Sequence, residues 1–185
     1  MLSTFALALA AASLVAADTK YLVIKSDTEE LDGNSISFRH EGAGIDYAFL
    51  GTAKTTAGLD FDESTGELTL PFTDNSRQYF SVGKFVSMTV AGPSSAKLSF
   101  DEDKTLLVDG SAEGFYACKN TGDPYNYSES IYGLMFYTED APEDCVVVKV
   151  VDDPSYAPTT TTTPPPPSSE RPEPPTSEPT PAPEP

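Results

Sequence analysis

The sequence predicts an all-β fold, a compact antiparallel sandwich or barrel of about ten to twelve short strands followed by a disordered C-terminal tail. Three observations carry this expectation. Apolar residues alternate with polar ones at period two, turn-forming residues recur about every 8–12 positions, and no segment shows a helical period. A β-trefoil suits the same strand number and is the alternative, although no threefold repeat of about 40 residues is visible. The 185 residues allow one domain with appendages.

In chain order, residues 1–17 come first, an uncharged run ending in Val15-Ala16-Ala17. Its apolar stretch from Phe5 to Val15 is too short to span a bilayer, which needs about 20 residues. It fits a secretory signal cleaved before Asp18. The folding unit is then expected over residues 18–153. Tyr21 to Lys25 suggests a well-buried strand. In Ser35 to His40, the residues Ile36, Phe38 and His40 share one face, which places His40 at the edge of the core, hydrogen-bonded into a turn. Leu59 and Phe61 alternate with Asp60 and Asp62. A turn through Ser64-Thr65-Gly66 leads to Leu68, Leu70 and Phe72, one face of the returning strand. Leu98 and Phe100, a charged turn over Asp101 to Lys104, and then Leu106 and Val108 repeat the hairpin pattern. Phe85 to Val90, Gly114 to Cys118, Tyr132 to Tyr137 and Val146 to Val151 suggest more fully buried strands.

Near Pro154 the composition changes. Residues 154–185 contain 13 Pro and 11 Ser or Thr, with only Tyr156, Ala157 and Ala182 apolar. Such a segment cannot bury enough surface to offset its ordering entropy. Thr159, Thr160, Thr161, Thr162 and Thr163, followed by four prolines, suggest an O-glycosylated stalk. The chain as given closes on Pro-Ala-Pro-Glu-Pro, so neither a transmembrane span nor a glycolipid anchor is expected from it.

Charge narrows the function. Eleven basic against 29 acidic side chains give a net −18, which repels nucleic-acid phosphates and anionic lipid. One histidine and two cysteines cannot build a Cys/His zinc site. An even cysteine number in a secreted chain points instead to a disulfide, Cys118 to Cys145. Asn126-Tyr127-Ser128 fits the N-glycosylation pattern, in what should be an exposed turn after Gly122-Asp123-Pro124. Tyr125 and Tyr127 flank that asparagine, with Tyr132 close behind. They are candidate carbohydrate contacts, although tryptophan, the strongest stacking ring, is absent.

No catalytic or cofactor signature stands out. There is no Gly-x-Ser-x-Gly elbow and no phosphate-cradling glycine loop. The acidic run from Asp60 fails the EF-hand template, with Thr65 and Pro71 where Gly and Glu belong. The other acids are expected in turns or on outward strand faces, where they cannot act as a glycosidase pair.

The stretch Arg39-His40-Glu41-Gly42-Ala43-Gly44-Ile45-Asp46-Tyr47-Ala48-Phe49-Leu50-Gly51 resembles a segment of small yeast cell-wall mannoproteins. Leu98 to Gly110, Gly114 to Cys118 and Asp144 to Val150 are similar to their later part, and a fainter likeness is to the phialide cell-wall protein of filamentous fungi. The resemblance implies a secreted, β-rich, often glycosylated protein with no catalytic residues and no cofactor. The expected function is therefore a non-enzymatic structural glycoprotein of a fungal cell wall or cell surface. A lectin-like module for wall polysaccharide is the alternative, and a hydrolase built on buried carboxylates is a third reading.

Overall fold

A computed structural model describes residues 18–73 and 75–159. The expected signal segment, Thr160, Thr161, Thr162, Thr163 and the rest of the stalk lie outside the described residues.

The period-two segments form strands. In order they are β1 (Asp18–Lys25), β2 (Ser35–Gly42), β3 (Ile45–Gly51), β4 (Gly58–Asp62), β5 (Glu67–Thr73), β6 (Ser76–Val82) and β7 (Val86–Thr89). After these come β8 (Leu98–Phe100), β9 (Leu106–Val108), β10 (Phe115–Cys118), β11 (Gly133–Phe136), β12 (Val146–Val147) and β13 (Lys149–Asp152). Every pairing among them is antiparallel. Among the described residues only two single turns of 3₁₀ helix, Tyr127–Glu129 and Pro154–Tyr156, interrupt the β structure.

The hydrogen-bonded order β3-β2-β1-β4-β5-β6-β7 closes on itself because β7 also pairs with β3. This ring of strands is a barrel, and closure removes the exposed edges that an open sheet would carry. Seven strands cannot be divided by a threefold axis, so the trefoil alternative does not describe it. Two strands change neighbours along their length. β1 pairs with β4 over Asp18 to Tyr21 and with β13 over Leu22 to Lys25. β3 pairs with β7 over Ile45 to Tyr47 and with β11 at Phe49. Through β3, a second patch of strands, β11-β10-β12, is joined to the barrel. The β8–β9 hairpin covers the space between them, its Leu98, Leu106 and Val108 joining the same core as Leu22, Ile24 and Phe115.

The alternation holds best where both faces are regular. In β4, Leu59 and Phe61 are buried while Asp62 is exposed. It fails at two irregularities. The β5–β6 register shifts between Pro71 and Thr73, and Phe72, expected beside Leu68 and Leu70, is 50 % exposed. Proline cannot donate to the ladder, and the strand leaves the core where it occurs. A second shift, between His40 and Gly42, turns the end of β2. His40 is therefore not a core-edge residue: its side chain is 66 % exposed and lies 3.4 Å from Asp46. Glu41 takes the inward position instead.

The disulfide joins Cys118 to Cys145, pinning the short edge strand β12 to the end of β10. The ordered chain also continues past Asp153. Pro154–Tyr156 is capped by the Asp153 carboxylate, and Tyr156 is 8 % exposed, its hydroxyl donating to the Gly33 carbonyl at 2.6 Å. The Tyr156 ring thus docks the first residues of the proline-rich segment, Pro154–Tyr156, on the domain.

Candidate functional site

The irregularity that turns Glu41 inward also builds a polar interior with the buried Asp123 and Ser128. A bulge puts an extra residue on one strand, so the period-two rule skips a step and a carboxyl lands where a side chain of the core would lie. Beside it runs the loop from Lys119 to Ile131, which begins directly after the disulfide residue Cys118 and donates to Glu41 through the Tyr125 N–H.

Asp123 organises that loop. Its carboxylate accepts the N–H groups of Tyr127 at 2.6 Å and Ser128 at 3.1 Å, and the Ser128 hydroxyl. The Thr121 hydroxyl approaches at 3.4 Å. Burial would raise its pKa, but the donors of Ser128 and Tyr127 outweigh burial and hold it below the usual carboxylate range. Ser128, itself 1 % exposed, also accepts the Thr121 N–H at 2.9 Å through its hydroxyl. Glu41 has the opposite balance. One oxygen accepts the Tyr125 N–H at 3.2 Å, while Oε1 is buried with no partner. Burial, and beyond it the adjacent Asp123 carboxylate, push the Glu41 carboxyl above its usual range. Neither acid was visible in the sequence as a site, since nothing in a one-dimensional pattern marks a bulge or tells a capping aspartate from a solvated one.

The aromatic pair sits on top, but its two rings do different work. Tyr125 is 56 % exposed, with His40 at 6.5 Å and Tyr127 at 6.1 Å between ring centroids. Tyr127 is half-buried, edge-on to Phe49 at 5.6 Å, with the Arg39 guanidinium 5.2 Å above its ring. Packing thus takes up most of Tyr127, and Tyr125 is the one that faces solvent. Tyr132 is similarly engaged, beneath the Lys119 ammonium at 4.8 Å. Asn126 lies between the two tyrosines, exposed and left-handed at φ 57°, ψ 27°. Asparagine is one of the few residues that adopts this conformation readily. Its amide is therefore presented at the loop's outer corner. Of the stalk threonines, Thr159 is exposed.

Among the described residues no group of three or more His, Cys, Asp or Glu is placed to hold a metal. No helix among them is long and apolar enough to cross a membrane.

A strand barrel pinned by a disulfide is an architecture common among extracellular domains. The comparisons make it specific. A family model described as a domain of unknown function, DUF7907, matches residues 18–154. The chain is 34 % identical over 151 residues to Cell wall protein RHD3 of Candida albicans, covering 80 % of this chain and 72 % of that protein. It is 33 % identical over 132 residues to Cell wall protein PGA31 of the same organism, covering 70 % of this chain and 45 % of that one. Cell wall protein PGA30 is 32 % identical over 133 residues, with coverages of 70 % and 47 %. No solved structure matches. The chain belongs to the DUF7907 family and, with these relatives, to a family of fungal cell-wall proteins. That membership places it at the extracellular, cell-wall side of the membrane. It spans less than half the length of PGA31 and PGA30.

Proposed function

We propose that this protein is a non-enzymatic structural glycoprotein of the fungal wall. In this reading residues 18–153 form the folded body, extended to Tyr156, and residues 154–185 a glycosylated Pro/Thr/Ser spacer. The carrying observation is the kinship over most of the chain with proteins named as cell wall proteins. The geometry agrees with it. The buried acids Glu41, Asp123 and Asp152 each accept backbone N–H groups that hold the fold together, engagements that tell against the hydrolase reading. An acidic, sugar-bearing surface would hydrate the wall and repel other anionic surfaces. Asn126 is the proposed N-glycan site, and Thr159 with Thr160, Thr161, Thr162 and Thr163 the proposed O-glycan cluster. Sequential extraction of walls with detergent and then glucan-degrading enzymes tests this, alongside the protein's mass before and after deglycosylation. Recovery of an unglycosylated protein solely from the cytosol would overturn it.

The lectin-like reading has one specific observation in its favour, the exposed ring of Tyr125 beside Tyr127. Sugars present apolar faces that stack on such rings. A pull-down on β-glucan, chitin and mannan, with Tyr125→Ala as the contrast, separates the two readings. Retention lost in the variant supports the lectin, and no retention of the parent on any polymer removes it.

A further inference from the structure

The bulge in β2 leaves an unresolved polar account. Glu41 is 7 % exposed, and its Oε1 has no hydrogen-bond donor. The neighbouring group is the Asp123 carboxylate, which is 2 % exposed and already filled by donors from its own loop. Two ionised carboxylates side by side in this interior have nothing to offer each other. Adding one proton changes that: a neutral Glu41 donates through Oε1 to Asp123 while its other oxygen keeps the Tyr125 N–H. Every oxygen is then satisfied, and the charge-assisted O–H···O bond crosses from β2 to the loop.

We propose that Glu41 and Asp123 share a single proton taken from solvent, forming a latch that holds the loop Lys119–Ile131 against β2 in acid and releases it toward neutral pH. The loop concerned carries Asn126 and Tyr125, so the latch sets how rigidly the projecting corner is presented. The proposal is independent of whether that corner bears a glycan or contacts a polysaccharide.

The charged neighbours do not supply an alternative switch. His40 adjoins Glu41 on β2 but is solvent-exposed and faces Asp46 of β3, and its positive form favours an ionised Glu41, opposing the latch. Arg39 lies over Tyr127. On the loop itself, Lys119 donates to the Ser130 carbonyl and Glu129 is exposed. The remaining buried titratable group there is Asp123. The two acids pull apart in sign. Raised Glu41 contributes stability below its unfolded-state pKa and loses it as pH rises. Lowered Asp123 contributes above its own and loses it as pH falls. The loop is tightest where one is protonated and the other ionised, in mild acid.

Amide hydrogen exchange on the full chain tests this, following Tyr125, Tyr127 and Ser128 after correction for intrinsic exchange. In the parent, loop opening should increase about tenfold between about pH 4 and about pH 7. Glu41→Gln places a permanent donor toward Asp123 and should reduce that increase to less than about twofold. His40→Asn should leave the parent's increase intact. Opening that is flat with pH in the parent, an increase that persists in Glu41→Gln, or one that disappears in His40→Asn would each overturn the latch.

Discussion

Asp123 is the side chain on which the projecting loop depends, because its carboxylate gathers donors from Tyr127 and Ser128 that otherwise face the interior. Truncating it leaves those donors unpaired, and each buried orphan costs about 1–3 kcal/mol. Asp123→Ala is therefore expected to lower unfolding free energy by about 2–4 kcal/mol in denaturant titrations at neutral pH. The difference should shrink only below mild acid, where the parent's own Asp123 carboxylate, held below the usual range, protonates. The tyrosines above it should separate cleanly. Tyr125→Ala, at a solvent-facing ring, should change stability by no more than about 0.5 kcal/mol, whereas Tyr127→Ala, which strips the ring from Phe49, should cost about 2 kcal/mol. Sequence alone brought Asn126, Tyr125 and Tyr127 together correctly, since they are adjacent in the chain. It could not rank the tyrosines, because Phe49 and Arg39 reach Tyr127 only through the fold. Glu41 stayed hidden for the same reason.

Elements rather than residues decide how the ends of the domain are held. The disulfide ties β12, two residues long, to β10. Its 27-residue separation implies about 3.6 kcal/mol of loop-closure stabilisation on the chain-entropy model. Cys118→Ser/Cys145→Ser should lose about that much, with exchange protection falling first in β12 and the adjoining loop. The Pro154–Tyr156 turn acts as a second clasp. Besides Gly33, the Tyr156 hydroxyl meets the Lys54 ammonium at 3.0 Å, and its carbonyl accepts the Thr56 N–H at 3.1 Å. A chain ending at Asp153 should consequently melt lower than one ending at Ala157, by an amount worth about 2–3 kcal/mol. Equal melting temperatures would show the clasp to be idle. Strands with clean alternation, such as β4 and the β8–β9 pair, were legible from their residues. β3 and β6 were not singled out by periodicity: Tyr47-Ala48-Phe49-Leu50 is apolar without interruption, and Ser76-Arg77-Gln78 opens β6 with polar side chains. In β6, Gln78, 3 % exposed and hydrogen-bonded to Asp46, faces inward alongside Phe80. A polar residue satisfied by a distant partner defeats any hydrophobic pattern. Ring closure was equally invisible, since the β3–β7 pairing joins strands separated by three others in sequence.

For the whole molecule the governing quantity is charge. Residues 18–153 carry 25 acidic and ten basic side chains, a net −15 confined to one small barrel. Attraction works against this repulsion at few places. Among the described residues the ion pairs present at neutral pH are Lys20 with Asp18 and Asp152, Lys25 with Asp32, and Arg77 with Asp60. The exposed pairs, Lys25 with Asp32 and Arg77 with Asp60, contribute about 0–1 kcal/mol each and salt weakens them, while the largely buried Lys20–Asp152 pair is screened less. Salt also weakens the far more numerous like-charge interactions, whose range at physiological ionic strength falls to about 8 Å. With the acids outnumbering the bases by this margin, the second effect wins. The melting temperature at about pH 7 is expected to rise by several degrees as sodium chloride is increased from about 0.01 M to about 0.15 M. The gain should diminish near about pH 4, where the exposed carboxylates begin to protonate and the repulsion to be screened has already fallen. Scanning calorimetry across that grid separates the two contributions. A melting temperature that falls with salt at neutral pH would mean that the few ion pairs, Lys20 between Asp18 and Asp152 foremost, stabilise the barrel more than its net charge strains it.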